Sequence, residues 1–530
     1  MNETQSAYLE SEEMTVLPTL PKKSRTLTFA RLWSGQGGIP AHIVSVETDL
    51  SRGLHAFSIV GLADKAVDEA RDRVSAAIKN SGFDSPKQDN HKIVVSLAPA
   101  DIKKEGTAFD FPVALAYLLA SELISFEPEG KIFLGELSLD GALRPIKGAL
   151  SIAIAAREKG MTEMYVPKDN AEEVSLIPGL TIFPVETLAE AIDHLSGDTR
   201  KRIASYVRAP KRGRLETDDL SDIRGQETAK RGLEIAIAGG HNIALWGPPG
   251  TGKTMLARAA ASLLPSLSEE EMIEVTSIHS LAGTVRGVIT EPPFRSPHHT
   301  SSYPSLIGGG NFPRPGEVTL AHRGVLFLDE FPEFHRDVIN ALREPLEDAR
   351  ITVARARGTC TFPANFILIA ALNPCPCGKA GSNDCKCLPL AIEKYKRKIS
   401  GPIADRIDMW TRVGAIPLES LSVKRETRPG ESAAARERIQ KARTVQANRF
   451  TERGADATNA DMSAKDIASH AGLTPSAEKS LVDAALTLKL SPRGYHRTIK
   501  VARTIADLSG SEIIEVPHML EALQYRLRDL

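Results

Sequence analysis

The chain has 530 residues, room for roughly three or four domains, and its 42% hydrophobic and 25% charged content is ordinary for a globular protein in water. Its 66 Lys and Arg against 67 Asp and Glu give a formal charge of −1, which excludes a global basic field: affinity for nucleic acid has to come from local patches. No apolar run reaches the ~18–20 residues that span a bilayer, and the opening stretch has no signal-peptide core, so the chain reads as cytoplasmic with no membrane partner.

Residues 1–26, polar and acidic with early prolines, read as a disordered tail. Residues 27–198 read as an α/β domain. Strands are expected at 41–47, 55–60 and 92–97, and helices at 64–80, 111–124 and 149–159. The first helix is marked by Val67, Ala70, Val74, Ala77 and Ile78 at helical spacing. Residues 199–221 read as a basic linker. Within it, 200–214 holds Arg200, Lys201, Arg202, Arg208, Lys211, Arg212 and Arg214 and no acid, as a solvated tether or a nucleic-acid contact.

From 222 to 415 strand and helix alternate. A buried strand at 242–246 and a helix at 255–264 flank the octet Gly247, Pro248, Pro249, Gly250, Thr251, Gly252, Lys253, Thr254, a full match to G-x-x-x-x-G-K-[ST]. Its glycines let backbone N–H groups converge on phosphates, Lys253 reaches the β/γ-phosphates of ATP, and Thr254 ligates Mg²⁺. A long insertion follows at 279–323. Its His298 and His299 are either ligands or, since neighbours on a strand point apart, polar contacts of a loop. Residues 324–330 form an apolar strand ending in Asp329, a partner for Mg²⁺, and Glu330, suited to polarise the attacking water.

Residues 351–362 alternate like a hairpin carrying Arg355 and Arg357, with Gly358 near the turn. The strand 366–372 ends at Asn373, whose amide can orient that water. Apart from Cys360, the cysteines are Cys375, Cys377, Cys385 and Cys387, spaced C-x-C-x₇-C-x-C. Four thiolates so close suit tetrahedral Zn²⁺, with an iron–sulfur cluster or free thiols as alternatives. Lys394, Tyr395, Lys396, Arg397 and Lys398 combine charge with an aromatic ring, as a solvated helix face or a single-strand contact. Arg406 stands where the core ends, and 416–530 reads as a helical lid containing Arg493.

In this order, glycine loop, acidic strand, Asn373, Arg406 and then a lid with Ser491, Pro492, Arg493 and Gly494, the chain resembles an AAA+ ATPase. The resemblance implies that Asn373 is sensor 1, Arg406 an arginine finger and Arg493 sensor 2. Fingers of this kind act on a neighbour, so it also implies a homo-hexamer. The segments 293–300, 308–310, 343–348 and 501–508 are similar to the magnesium-chelatase-like group, and within it to the YifB/ComM family. For that family the resemblance implies a hexameric DNA helicase promoting branch migration in natural transformation. Its partners would be single-stranded or branched DNA and recombination proteins. A hairpin before the sensor strand points into the central channel of related helicases. The alternatives are a Mg-chelatase-like motor or a protein-remodelling ATPase acting on a protein partner.

Residues 135–141 and 144–148 resemble the Lon-protease-like fold (ribosomal S5 domain 2-like). Where Lon has its serine and lysine this chain has Ala108 and Leu150, and Thr107 or Lys147 are the nearby substitutes, so the domain reads as inactive. The expected whole is α/β: this domain, a P-loop core with a parallel sheet, and a helical lid.

Overall fold

The computed structural model describes residues 25–526 except 33–40, 63–64, 89, 101–103, 105, 198–201, 209–217, 285–286, 310–313, 356–357, 381–384, 400, 416–429 and 452–456. The tail before Arg25 and the linker positions Arg200, Lys201, Lys211, Arg212 and Arg214 lie outside the described residues.

In the N-terminal domain β1 (Arg25–Leu32), β2 (Ala41–Arg52), β3 (Ala56–Val60) and, after α1 (Lys65–Asn80), β4 (His91–Ala98) form a sheet in the order β1-β2-β4-β3, antiparallel except for β3–β4. Strand alternation turns Val44, Val46, Ile93, Val95 and Leu97 inward. On that sheet lie α1, α2 (Asp110–Ala120) and, beyond β5 (Lys131–Phe133) and the ribbon β6 (Glu136–Leu137) with β7 (Leu143–Arg144), α3 (Ala149–Glu158). Every residue of α2 is buried. It stops at Ala120 rather than 124 because the Ser121 hydroxyl bonds back to the Tyr117 carbonyl (2.9 Å) and Glu122 turns left-handed (φ 62°). A parallel sheet, β5 with β8 (Glu163–Pro167) and β9 (Thr181–Val185), completes the domain, with α4 (Ala171–Val174) and α5 (Leu188–Leu195) beside it. Residues 202–208 run along this domain: the Ile203 N–H donates to His194 Nδ1 (2.9 Å) and the Tyr206 N–H to the Ile182 carbonyl (2.8 Å).

Leu150 is wholly buried in the apolar core and Ala108 packs against it, so neither supplies a nucleophile or a base. The Thr107 hydroxyl is bound to Glu136, and Lys147 lies over Gly283 of the next domain. Thr107 thus has another partner, and Lys147 lies against the next domain.

The second domain begins with α6 (Glu227–Gly239), β10 (Ile243–Trp246), α7 (Lys253–Leu263) and α8 (Glu269–Ala282). α8 docks the N-terminal domain, with the Gly148 N–H donating to Ser280 Oγ at 3.0 Å. The insertion holds β11 (Phe294–Arg295), α9 (Tyr303–Ile307), β12 (Gly308–Gly309), β13 (Arg314–Pro315) and α10 (Glu317–Leu320). After it come β14 (Val325–Leu328), α11 (Arg336–Ala341), α12 (Pro345–Asp348), the hairpin of β15 (Arg350–Arg355) and β16 (Gly358–Pro363), β17 (Ile367–Leu372), α13 (Pro389–Lys396), α14 (Gly401–Ala404) and β18 (Met409–Arg412).

Five strands make one parallel sheet in the order β11-β14-β17-β10-β18. β14 and β17 are buried throughout, which is why both read as unbroken apolar runs. The insertion differs from expectation in supplying the edge strand β11. Two residues beside two prolines carry no periodic signal.

The lid comprises α15 (Glu431–Arg449), α16 (Ala464–His470), α17 (Pro475–Thr487), α18 (Pro492–Ser509) and α19 (Val516–Gln524). It is fastened by buried charge. Arg503 is fully buried against Asp507 and the carbonyls of Ala471 (3.2 Å) and Glu512 (2.8 Å), and Arg449 grips the same Asp507 at 2.6 and 2.9 Å. No helix among the described residues is long and apolar enough to cross a membrane.

Candidate nucleotide site

Because the sheet is parallel, the loops leaving β10, β14 and β17 open on one edge. The β10 loop bends at Gly250 (φ 75°) and Gly252 (φ 90°), and α7 starts at Lys253, two residues earlier than the sequence suggested. Gly247 has no room for a side chain, since a Cβ would lie 2.0 Å from the Val413 carbonyl oxygen. The buried Lys253 donates to the carbonyls of Gly247 (2.7 Å) and Pro248 (2.8 Å) and to Asn373 Oδ1 (3.1 Å). Burial lowers the Lys253 pKa, against the pull of Asp329 and Glu330.

Thr254 Oγ1 donates to Asp329 Oδ2 at 3.0 Å, so the two oxygens expected to hold Mg²⁺ already converge, and the residues fit that ion. Thr251 closes the loop with a bond to the Pro248 carbonyl (2.9 Å). Gln226, which the sequence reading missed, ties the loop to β18 by donating to the carbonyls of Gly414 (2.7 Å) and Thr251 (3.3 Å).

Glu330 adopts a left-handed conformation (φ 50°, ψ 42°), uncommon for a residue with a side chain and a mark of functional strain. Its N–H donates to Asp329 Oδ1 (2.9 Å), and its Oε2 lies 3.1 Å from His299 Nδ1. One of the two insertion histidines therefore meets the acidic strand end. His298 bonds instead to Thr300 Oγ1 (2.8 Å).

Arg406 and Arg493 lie elsewhere. Arg406 precedes β18, which runs parallel to β10 with Ile243 opposite Met409, so it sits at the edge where strands begin. Both arginines close on Glu347, Arg493 at 2.7 Å, and they hold its carboxyl below the usual range. A cavity of about 670 Å³ between sheet and lid opens beside them, lined also by Asp408, Arg497 and Lys500. The predicted catalytic residues thus divide between opposite edges of the sheet, Glu330 and Asn373 at one and Arg406 and Arg493 at the other.

The four cysteine sulfurs lie within 4.8 Å of one another, with separations of 3.3, 3.9 and 3.7 Å among Cys375, Cys377 and Cys385. A tetrahedron with Zn–S bonds of about 2.3 Å has edges of about 3.8 Å, so the set fits zinc. Cys375 is buried, and it accepts from the Ala380 N–H at 3.2 Å. The knuckle touches the phosphate loop: a Cβ on Gly378 would stand 2.5 Å from Pro249 Cδ. Tyr395 is buried behind Asn373, its hydroxyl pushed up to about 12 by burial and by Glu333. This corrects the single-strand reading of 394–398, because a buried ring cannot stack on bases. Lys398 pairs with Glu333 (2.8 Å) and Arg397 with Glu393 (2.6 Å), as on a solvated helix face. At the hairpin tip, Arg357 and the Arg355 side chain lie outside the described residues.

Residues 219–421 match the family described as magnesium chelatase, subunit ChlI, with further matches to the subunit at 46–170 and to its C-terminal part at 430–526. The chain is 41% identical over 495 residues to the competence protein ComM of Haemophilus influenzae, spanning 92% of this chain and 95% of that one. It is 43% identical over 496 residues to the uncharacterized protein YifB of Escherichia coli, spanning 93% and 96%. A 162-residue stretch, 29% of each chain, is 31% identical to Lon protease 2 of Bacillus subtilis.

Proposed function

The chain belongs to the YifB/ComM family of Mg-chelatase-like AAA+ ATPases, and from that premise we propose that it is a hexameric cytoplasmic DNA motor, driving branch migration as incoming DNA is recombined. The observation that carries the reading is the split of the site. Lys253, Thr254, Asp329, Glu330 and Asn373 gather at one edge of the sheet, and Arg406 with Arg493 at the other. Among the described residues Arg406 and Arg493 are engaged by Glu347 and not by the phosphate loop of their own chain, so a neighbour would complete each site, as a closed ring allows.

In this mechanism Lys253 exchanges the loop carbonyls for the β/γ-phosphates, and Asn373 and Glu330 position the water, Glu330 taking its proton as the γ-phosphoryl group leaves ADP. Mg²⁺ held by Thr254 and Asp329 supplies charge neutralisation. The neighbour's Arg406 and Arg493 leave Glu347 to stabilise the transferring phosphoryl group. The four cysteines hold a structural Zn²⁺.

Sharing between chains has a quantitative consequence. Arg406→Ala and Lys253→Ala chains are each expected to be inactive. Mixed in equal amounts they should recover about a quarter of wild-type turnover, the fraction of sites with an intact lysine facing an intact arginine. No recovery would place Arg406 in its own chain's site.

The DNA assignment draws on the name of the competence protein and on the β15–β16 hairpin, whose first strand begins two residues after α12, the helix that carries Glu347. The test is ATPase rate with and without single-stranded and four-way-junction DNA. Stimulation is expected, and changing Arg355 and Arg357 together to alanine should abolish it, because phosphate contacts in a channel grip without reading sequence. A wild-type rate indifferent to DNA would turn the search to a protein partner.

A further inference from the structure

We infer that Glu347 is a positioning residue that holds Arg406 and Arg493 within their own chain until the β15–β16 hairpin moves, so that the neighbouring site lacks its cations while the hairpin rests. This deepens the shared-site reading above and rests on it. Three observations carry it.

The first is the sharing of one carboxylate. Glu347 Oε1 accepts from Arg493 Nη2 at 2.7 Å, and its Oε2 pairs with Arg406 Nη2. One cation stands two residues past α14 and the other at the start of α18, so a single side chain ties core to lid. Of the other acids lining the cavity beside them, Asp408 is taken by Arg497 and the Asn242 N–H, and Asp461 by Thr458. The second is that the seat of Arg406 is incomplete. Its Nη1 donates to the Pro402 carbonyl at 2.8 Å, while its Nε is buried and has no partner among the described residues. A buried N–H left bare is costly. The guanidinium therefore gains by moving to an acceptor with more oxygens, and a phosphoryl group offers three.

The third is the mounting. Glu347 lies in the four-residue α12, and Ala349, just past its end, is left-handed (φ 51°, ψ 27°), a strained conformation for a residue with a side chain. The Ala349 carbonyl accepts from the Ala364 N–H at 2.8 Å, which closes the root of the hairpin where Arg350 pairs with Pro363. Ile351, Val353 and Phe362 are buried beyond it, so the strands carry the root with them. Pro345, Leu346 and Ala349 also wall the cavity beside both arginines, which gives these side chains room to swing. A hairpin displaced by DNA would relax Ala349, shift Glu347 and hand two cations to the neighbour; this trigger, though not the hold, rests on the DNA-motor reading.

The experiment measures ATP turnover at saturating ATP in equal mixtures of two chains. One is Arg406→Ala, whose lysine is intact. The other is Lys253→Ala, with or without Glu347→Gln, which supplies arginines but no working site of its own. Glutamine keeps the size of the side chain and loses the charge that holds two guanidinium groups. Adding it should raise turnover about three- to tenfold, as the released fraction of the arginines grows, although the altered residue and the working site lie in different chains. A merely structural role for Glu347 would produce no such gain. Stimulation by a single-stranded oligonucleotide should shrink by the same factor. Recovery in the plain mixture with no gain, or a loss, from Glu347→Gln overturns the proposal alone. No turnover in either mixture defeats the shared-site reading and the proposal with it. Should the glutamine chain not fold or not join its partner, Glu347→Asp, which is one methylene shorter, decides by the same rule, a gain supporting the hold and equality or loss overturning it. Turnover that ignores DNA in both mixtures defeats the trigger alone, since the comparison without DNA still tests the hold.

Discussion

Glu330→Gln is expected to lower ATP turnover by about a hundredfold or more with nucleotide affinity intact, the loss typical when a general base is removed. The amide keeps the size of the side chain and its acceptor oxygen but cannot take a proton from water. The left-handed backbone at Glu330 and its bond to Asp329 Oδ1 do not depend on the carboxylate, so the strand end should keep its shape. Lys253→Ala should differ, because it removes a cation that holds three oxygens of the site, and it should lose ATP binding itself. Measuring kcat beside the affinity for a fluorescent nucleotide separates the two variants. Near-normal turnover by Glu330→Gln would mean that another group activates the water.

The parts of the site that were legible in the sequence are those carried by one continuous strand and the residue that ends it. β10 with its glycine loop, β14 with Asp329 and Glu330, and β17 with Asn373 each announce themselves as an apolar run closed by a polar group, since a strand buried on both faces tolerates little else. What stayed hidden depends on pairing between distant segments. Nothing local to His299 says that β11 will lie against β14, and nothing local to Gln226 says that it will reach Gly414. The meeting of Arg406 and Arg493 on Glu347 joins three segments across 146 residues, and only the folded sheet and lid show that both arginines sit at the far edge. In the N-terminal domain the alternation in β2 and β4 was readable, whereas the end of α2 was set by a serine hydroxyl competing for carbonyls.

Stripping metal from the cysteine knuckle should impair the ATPase although no cysteine touches nucleotide in the proposed mechanism. Two contacts lead there. Gly378, left-handed at φ 77°, lies so close to Pro249 of the phosphate loop that a Cβ would have no room, and Asn373 stands two residues before Cys375 while accepting from Lys253. With the four thiolates tied to one ion, the end of β17 and the loop after β10 are held together; without it, four sulfurs within 4.8 Å repel as thiolates or cross-link as disulfides. The purified chain should contain about one zinc per chain, its sulfurs forming a closed tetrahedral site. Cys375→Ser should lose that zinc, lower turnover by about tenfold or more, and lower the first melting transition by roughly 5 °C or more. Cys360→Ser is the control, because Cys360 lies in the apolar cluster beneath the hairpin and should leave the zinc content unchanged. Metal analysis, thiol titration and ATPase rate on the same preparations decide the matter. A fully active wild-type chain with no metal and five titratable thiols would refute the zinc assignment, whereas a Cys375→Ser chain that loses zinc but keeps its turnover would leave a zinc site uncoupled from the phosphate loop.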